Sequence, residues 1–444
     1  MGETQQIARY IANLSYKDIP ETNLNDMKNL LLDHIGVALG GARTPSAEIV
    51  AHFSREIGEK GESTIIGHGY HVSAHSAAFC NAISSHSIEL DDTDSLAMFH
   101  FGPTTFAGAL AMAEREKASG KSFLTAVVAG CDLVARLSST LNPSLRNRGF
   151  HTTPTCGIFG VAAAAGKILG LDEEKQTNAL GLAGAQASGL MEMYGTSMQK
   201  RFNPSPAARG GVIAALLAQR GFTGAETILE GERGFCRAFA GISDLSKLML
   251  NLGKEFPIYL EFKPYACARP IHNAIDCALE IRKGHKINIA DIKEISVRRH
   301  PEWAGYHVIS EPHNYNEAQV SLPYSVAISL VEGKAFFEQY SDERLKDQRV
   351  LELAKKVKIT ADKSLPRGVS CAMEIHMKDG AVYSSQVDYA KGSRENPMTD
   401  EERKDKFHSL ASGILSSKKR AVVISVVERL DELRDMSELC KLLY

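Results

Sequence analysis

The sequence predicts a mainly α protein that carries a smaller α+β region, on three observations. Apolar residues recur at three- and four-residue steps through most of the first 250 or so positions, the period of a helix face. After Lys263 the texture changes to β-branched and alternating runs. Beyond a polar stretch that ends near Lys406 the helical period returns.

Taken in order, Leu24, Met27, Leu30, Leu31, Ile35 and Ala38 mark one helix face, which Gly40-Gly41 ends. Val161–Leu169, Thr177–Ser188 and Ala207–Gln219 are rich in Ala and Gly, and small side chains let helix backbones approach closely. This half is therefore expected to be a bundle of buried helices almost without interruption. Ile292–Arg299, Ala372–His376 and Val382–Val387 read as strands, the last two joined by the hairpin turn Met377-Lys378-Asp379-Gly380. Helical stretches near 270–283, 318–332 and 347–356 are interleaved with them. Lys391–Lys406 reads as a linker. Residues 407–444 return to helix through Val422, Ile424, Val427, Leu430 and Leu433, and are expected to pack back on the first helices.

Composition narrows the function. A chain of 444 residues suits two domains, and 44% hydrophobic with 23% charged residues is ordinary for a globular protein. A net charge of −2 gives no electrostatic case for nucleic acid or an anionic membrane as partner. No continuous apolar run approaches a membrane span, and the N-terminus lacks the marks of a signal peptide. The eight cysteines form no CxxC pair and read as reduced thiols of a cytoplasmic protein. Gly120-Lys121-Ser122 lacks the upstream glycine of a phosphate loop, where Arg115 stands instead, and no GxGxxG follows a strand. His68, His71 and His75 do not have the spacing of a zinc site, so no metal and no cofactor are expected. Cys156 beside His151 reads as a small core residue rather than a nucleophile.

Chemistry concentrates elsewhere. His86-Ser87-Ile88-Glu89-Leu90-Asp91-Asp92-Thr93, followed by His100-Phe101-Gly102-Pro103, crowds acids and imidazoles between the Ala-rich, helix-prone runs Ala74–Ile83 and Thr104–Ala113. A core has no use for so many titratable groups, so this is a solvated loop or the wall of a site. His151 with Thr152 and Thr153 precedes a small-residue helix, whose N-terminus favours anions. Lys200-Arg201, Lys263, Arg269 and His272 add cations, and Tyr324 puts a phenol in an apolar helical stretch. Fixed cations beside acid/base groups fit proton transfer or elimination at a carbon next to a carboxylate, where an enolate must be stabilised.

Five segments then carry a resemblance: HSIELDDT at 86–93, GFHTTPTCGIFGVAAAAGKILGL at 149–171, MQKRF at 198–202, FKPYACARPIHNAID at 262–276 and SLPYSVA at 321–327. In this order the chain resembles the MmgE/PrpD family over essentially its whole length. Members include 2-methylcitrate dehydratase, cis-aconitate decarboxylase and iminodisuccinate epimerase. The resemblance implies a large helical domain from residues 1–262 and 398–444, an α+β lid domain from 263–397, a homodimer, and metal-free catalysis in the cleft between domains.

It also implies site residues. The decarboxylases use an acid, a Thr, two His, two Lys and a Tyr. Glu89 stands at the acid's position, where Asp is usual; Thr93, Lys200, Lys263 and Tyr324 match directly. His100 is the first histidine, one residue further from Thr93 than usual, and Ala268 occupies the second histidine's position between Cys267 and Arg269. The expected catalytic set is thus Glu89, Asp92, Thr93, His100, His151, Lys200, Lys263 and Tyr324. Asp91, Arg201, Arg269 and His272 are expected to bind substrate, with Asp91 or Asp92 orienting His100.

The expectation is a cofactor-independent lyase acting on a small di- or tricarboxylate, first of all a cis-aconitate-decarboxylase-like enzyme that forms itaconate. Dehydration of a 2-methylcitrate-like hydroxyacid and epimerisation of iminodisuccinate are the alternatives within the family. A non-catalytic carboxylate-binding homologue, or a helical scaffold with these side chains dispersed over its surface, are the alternatives of another class.

Overall fold

The computed structural model describes residues 1–193, 197–366 and 368–444. The first half is helical: α1 (Glu3–Asn13), α2 (Glu21–Gly41), α3 (Pro45–Ile57), α4 (Ala74–His86), α5 (Ala107–Arg115), α6 (Gly120–Leu141), α7 (Thr152–Ile168), α8 (Glu173–Gly184) and α9 (Ser205–Gln219). Gly41 ends α2 where the sequence predicts. α7 lies at the centre, packed on α6, α8 and α9, while α4 packs on α2, α5 and α9. Small residues make this close approach possible: a Cβ on Gly160 would lie 2.3 Å from a Val134 methyl carbon.

Three expectations need correction. The first half is not helical throughout, because β1 (Ser63–Ile65) and β2 (Tyr70–Val72) form an antiparallel hairpin between α3 and α4. Residues 220–262 are mostly irregular, with only the short helices Phe235–Ala240 and Ser246–Met249. α6 is long and apolar enough to cross a membrane by composition, a feature the search for an unbroken apolar run passes over. It is a core helix, and its buried Asp132 and Arg136 pair at 2.9 Å.

The α+β region follows. α10 (His272–Gly284) leads to β3 (Ile292–Arg299), then α11 (Leu322–Glu332), β4 (Val357–Ala361), β5 (Cys371–Met377) and β6 (Val382–Val387). The strand order is β4-β3-β5-β6, with β3 parallel to β4 and antiparallel to β5. β5 and β6 form the expected hairpin across the Asp379-Gly380 turn. β4 was not expected: Lys358, Thr360 and Ala361 are exposed and hide its alternation at a sheet edge. α10 packs on β5, β6 and α11, giving this region its own core around Ile275, Ile295, Val297, Tyr324, Ile328 and Ile375.

α12 (Asp400–Ala411) and α13 (Ser417–Glu428) then return to α2. The connecting stretch is shorter than expected, because Thr399 caps α12 with Glu402 in a capping box and starts the helix inside the polar run. The two chain crossings between the regions run side by side. Glu261 and Thr93 exchange N–H···O bonds of 2.9 and 3.0 Å, and the Phe262 N–H donates to Gly392 O at 3.0 Å. Gly392 has φ +85°, and a Cβ there would strike Phe262 O at 1.9 Å. Only glycine permits this pairing, which fixes the backbone that carries Lys263.

Candidate active site

The site begins where α4 ends. His86 is the last residue of α4, and the chain turns immediately so that Glu89 takes a left-handed conformation with φ +55°. That conformation costs an L-residue about 1–2 kcal/mol, and here a buried charge cluster over-determines it. Glu89 Oε1 is ion-paired with Lys200 and Arg201, and its Oε2 lies 3.5 Å from Lys263 Nζ. The single turn Gln199–Phe202 delivers Lys200 and Arg201 together, and the crossing at 261–263 delivers Lys263.

Asp91 completes the charge set. Its Oδ1 accepts from Lys263 at 3.2 Å, while its Oδ2 lies 2.7 Å from His86 Nδ1 and 3.2 Å from His100 Nδ1. Burial would raise both carboxyls, but Lys200, Lys263 and Arg201 around Glu89 hold it well below the usual range. Lys263, His100 and His86 do the same for Asp91. Burial would lower Lys263, yet Asp91 and Glu89 outweigh it and raise its ammonium. Lys200 is drawn down to about 8 by burial, partly countered by Glu89.

The tight loop Asp94–Phe99, closed by N–H···O bonds of 2.8 and 3.0 Å, returns the chain to present His100. His100 Nδ1 also bonds the Asp92 carbonyl at 2.5 Å, which puts its proton on Nδ1 and leaves the Nε2 lone pair for chemistry. Burial lowers its pKa to about 4, so the ring is neutral at pH 7. His151, at the N-terminus of α7, accepts from Asn203 at 3.0 Å through Nδ1, so its proton sits on Nε2. Burial holds it neutral, reinforced by His86, His100 and Lys200 nearby. Among the titratable members Lys200 is 15% exposed and His100 20%, against 2% or less for Glu89, Asp91, Arg201 and Lys263. His100 and Lys200 are thus the members of the cluster that solvent reaches most. The surface cleft of about 600 Å³ lined by Asp26, Phe262, Arg394 and Arg403 contains none of these side chains.

Five expected site residues hold protein partners that the sequence does not announce. Asp92 offers its carboxylate to the backbone, accepting from Phe101 N–H at 2.7 Å and Gly102 N–H at 2.8 Å. Burial beside Asp91 pushes it up to about 8. It is a clamp on the loop, and the carboxylate orienting His100 is Asp91. The Tyr324 hydroxyl, on the first turn of α11, donates to Gln339 O at 2.7 Å inside the α+β core. Arg269 binds Glu261 at 3.1 Å, His272 at 3.0 Å and Lys391 O at 3.1 Å. His272 spends its other nitrogen on Cys267 O at 3.2 Å. Both brace the crossing, since Glu261 lies two residues before Lys263 and absorbs the arginine's charge. Arg201 binds Gln319 at 2.8 Å and Asn316 at 3.2 Å besides Glu89, so it ties the helical half to the α+β region. Thr93 stays beside the cluster through its pairing with Glu261, its hydroxyl 3.4 Å from Phe99 O.

Two residues outside the expected set belong to the site. His86 opens the HSIELDDT motif, and its imidazole is fully buried on Asp91. Gln319 donates to Ile88 O at 2.9 Å and Ala266 O at 3.0 Å, joining the site loop to the α+β region. Only its position two residues before the SLPY segment marks it in the sequence. The polar residues thus converge on one buried cluster, contrary to the dispersed-scaffold reading.

The chain is similar to known proteins along most or all of its length. The chain is 29% identical over 471 residues to a protein named cis-aconitate decarboxylase from Aspergillus terreus, covering 100% of this chain and 96% of the relative. A mouse protein of the same name is 29% identical over 457 residues, covering 99% and 93%. Mitochondrial 2-methylcitrate dehydratase from Yarrowia lipolytica is 24% identical over 432 residues, covering 88% and 80%. The MmgE/PrpD N-terminal domain matches residues 5–247 and the MmgE/PrpD C-terminal domain residues 265–432. With both domains matched in order, the chain belongs to the MmgE/PrpD family.

Proposed function

We propose that this cluster is the active site of a lyase acting at a carbon next to a carboxylate, with cis-aconitate, decarboxylated to itaconate, as its first substrate. The observation that carries the reading is a proton donor, Lys200 on Glu89, and a proton acceptor, His100 on Asp91, in one buried cluster that Lys263 joins. Lys200, at about 8, is charged at neutral pH and can donate; His100, at about 4, is neutral and can accept. On loss of CO2 the electron pair left on the substrate spreads toward a neighbouring carboxylate, where Lys200 and Lys263 offset the charge. A proton from Lys200 then saturates the carbon, so that a carboxylate and a proton become CO2 and a C–H bond.

Dehydration of a 2-methylcitrate-like hydroxyacid is the second reading. It is favoured by the same pair, since His100 would take the α-proton while Lys200 protonates the departing hydroxyl. A homodimer belongs to the proposal as well. Ile49, Phe53 and Ile57, spaced by four on α3, are all more than half exposed and form a face that a second copy would cover.

The test offers cis-aconitate and 2-methylcitrate separately to the purified protein, following CO2 release and alkene formation, beside Lys200→Ala. Itaconate with stoichiometric CO2, lost in the variant, supports the first reading. An alkene without CO2 supports the second. Turnover undiminished in Lys200→Ala contradicts both. Light scattering at micromolar concentration tests the dimer.

A further inference from the structure

The second imidazole on Asp91 calls for an explanation. His86 is fully buried, and its Nδ1 bond to Asp91 Oδ2 is shorter than the one from His100, 2.7 against 3.2 Å. Both rings therefore compete for one oxygen, while the other oxygen of Asp91 is held by Lys263. The two rings meet edge to face, with centroids 5.3 Å apart. His86 Nε2 is buried without a hydrogen-bond partner among the described residues. The carboxylate oxygen accepts, so the proton of the bond to Asp91 sits on His86 Nδ1. His86 is thereby fixed as a donor to Asp91.

We propose that His86 is a positioning residue that divides Asp91 between two imidazoles and so sets how tightly His100 holds its proton. The inference rests on the reading of His100 as the proton acceptor. In a dyad of His100 and Asp91 alone, the carboxylate would serve the imidazolium in full and the ring would stay protonated to higher pH. With His86 on the same oxygen, the carboxylate's charge is shared between two imidazole donors. The groups that face His100 are Asp91, His86 and the Asp92 carbonyl from its own segment, and Lys263 from the crossing. His151 lies across from it on α7. His86 is the one of these whose removal leaves His100 as the imidazole that Asp91 Oδ2 serves.

The experiment is a side-chain nitrogen NMR titration of the histidines in substrate-free protein, for wild type, His86→Leu and His86→Asn. The leucine removes the competing donor; the asparagine amide keeps it. The midpoint of His100 is expected to rise by about one pH unit in His86→Leu and to stay at the wild-type value in His86→Asn. An unchanged or lowered midpoint in folded His86→Leu overturns the proposal. The wild type offers a test that needs no variant: His86 must carry its proton on Nδ1, and a proton on Nε2 overturns the proposal. Once a substrate is found, the acid limb of kcat/KM should move with the NMR midpoint. A moving midpoint with a fixed acid limb would uphold the coupling and remove His100 as the base, so the two readings fail separately.

Discussion

Lys263 is the residue whose loss the structure prices most directly. Its ammonium is 1% exposed and lies 3.2 Å from Asp91 and 3.5 Å from Glu89. Replacing it with methionine keeps the volume and leaves those carboxylates in place. Glu89 retains Lys200 and Arg201, but Asp91 then has only two imidazoles. Breaking a buried pair from one side costs about 3–5 kcal/mol, a large part of the roughly 5–15 kcal/mol that holds a domain folded. Lys263→Met should therefore fold but melt at clearly lower urea. Adding Asp91→Asn removes the uncompensated charge and should recover about 1–3 kcal/mol, so the two changes are strongly non-additive. The assay is urea unfolding followed by two probes. Far-ultraviolet dichroism reads the helices, and fluorescence of Trp303, the sole tryptophan, reads the α+β region. A loss below about 1 kcal/mol in Lys263→Met, or costs that add in the double variant, would refute the coupling of Lys263 to Asp91.

Other outcomes follow from the same cluster. The kcat/KM profile should be a bell, rising as His100 loses its proton near pH 4 and falling as Lys200 loses its charge near pH 8; a profile flat across that upper limb would remove Lys200 from the chemistry. Glu89 and Asp91 have depressed folded-state pKa values, so their contribution to stability is present above about pH 4 and is lost as pH falls through the folded values. Acid melts of Glu89→Gln should show a shallower decline than wild type. Asp92 works in the opposite direction: raised to about 8, it destabilises progressively from about pH 4 to pH 8, and Asp92→Asn should flatten that slope in chemical melts. Tyr324→Phe removes only the bond to Gln339 O, so it should cost about 1 kcal/mol of stability and less than about threefold in kcat; a hundredfold loss would mean that the phenol reaches substrate after all.

What was legible in the sequence follows physical lines. Buried helices, the β5–β6 hairpin and β3 announce themselves because burial imposes their periodicity on residues such as Ile292, Ile295 and Val297. β1, β2 and β4 do not, being short or at an edge where few side chains are buried. The charge cluster was visible as chemistry crowded into Glu89, Asp91, His100, Lys200 and Lys263. What one residue does for another was not. Whether a carboxylate faces a ligand or a backbone N–H is decided by the turn that presents it, and this separates Asp91 from its neighbour Asp92. Arg269, His272 and Tyr324 sit in the family motifs, and their bonds to Glu261, Cys267 O and Gln339 O carry no mark in the sequence. Gln319 contributes by bonding to carbonyls of Ile88 and Ala266, groups that carry no side-chain signature.

The central claim is that His100 and Lys200 transfer protons at a carbon beside a carboxylate. Proton NMR of the purified protein with cis-aconitate in deuterated buffer tests it most directly, run beside His100→Asn and Lys200→Ala. The account predicts itaconate carrying deuterium from wild type and a loss of at least about a hundredfold in Lys200→Ala. Deuterated product formed at the wild-type rate by both variants would contradict it.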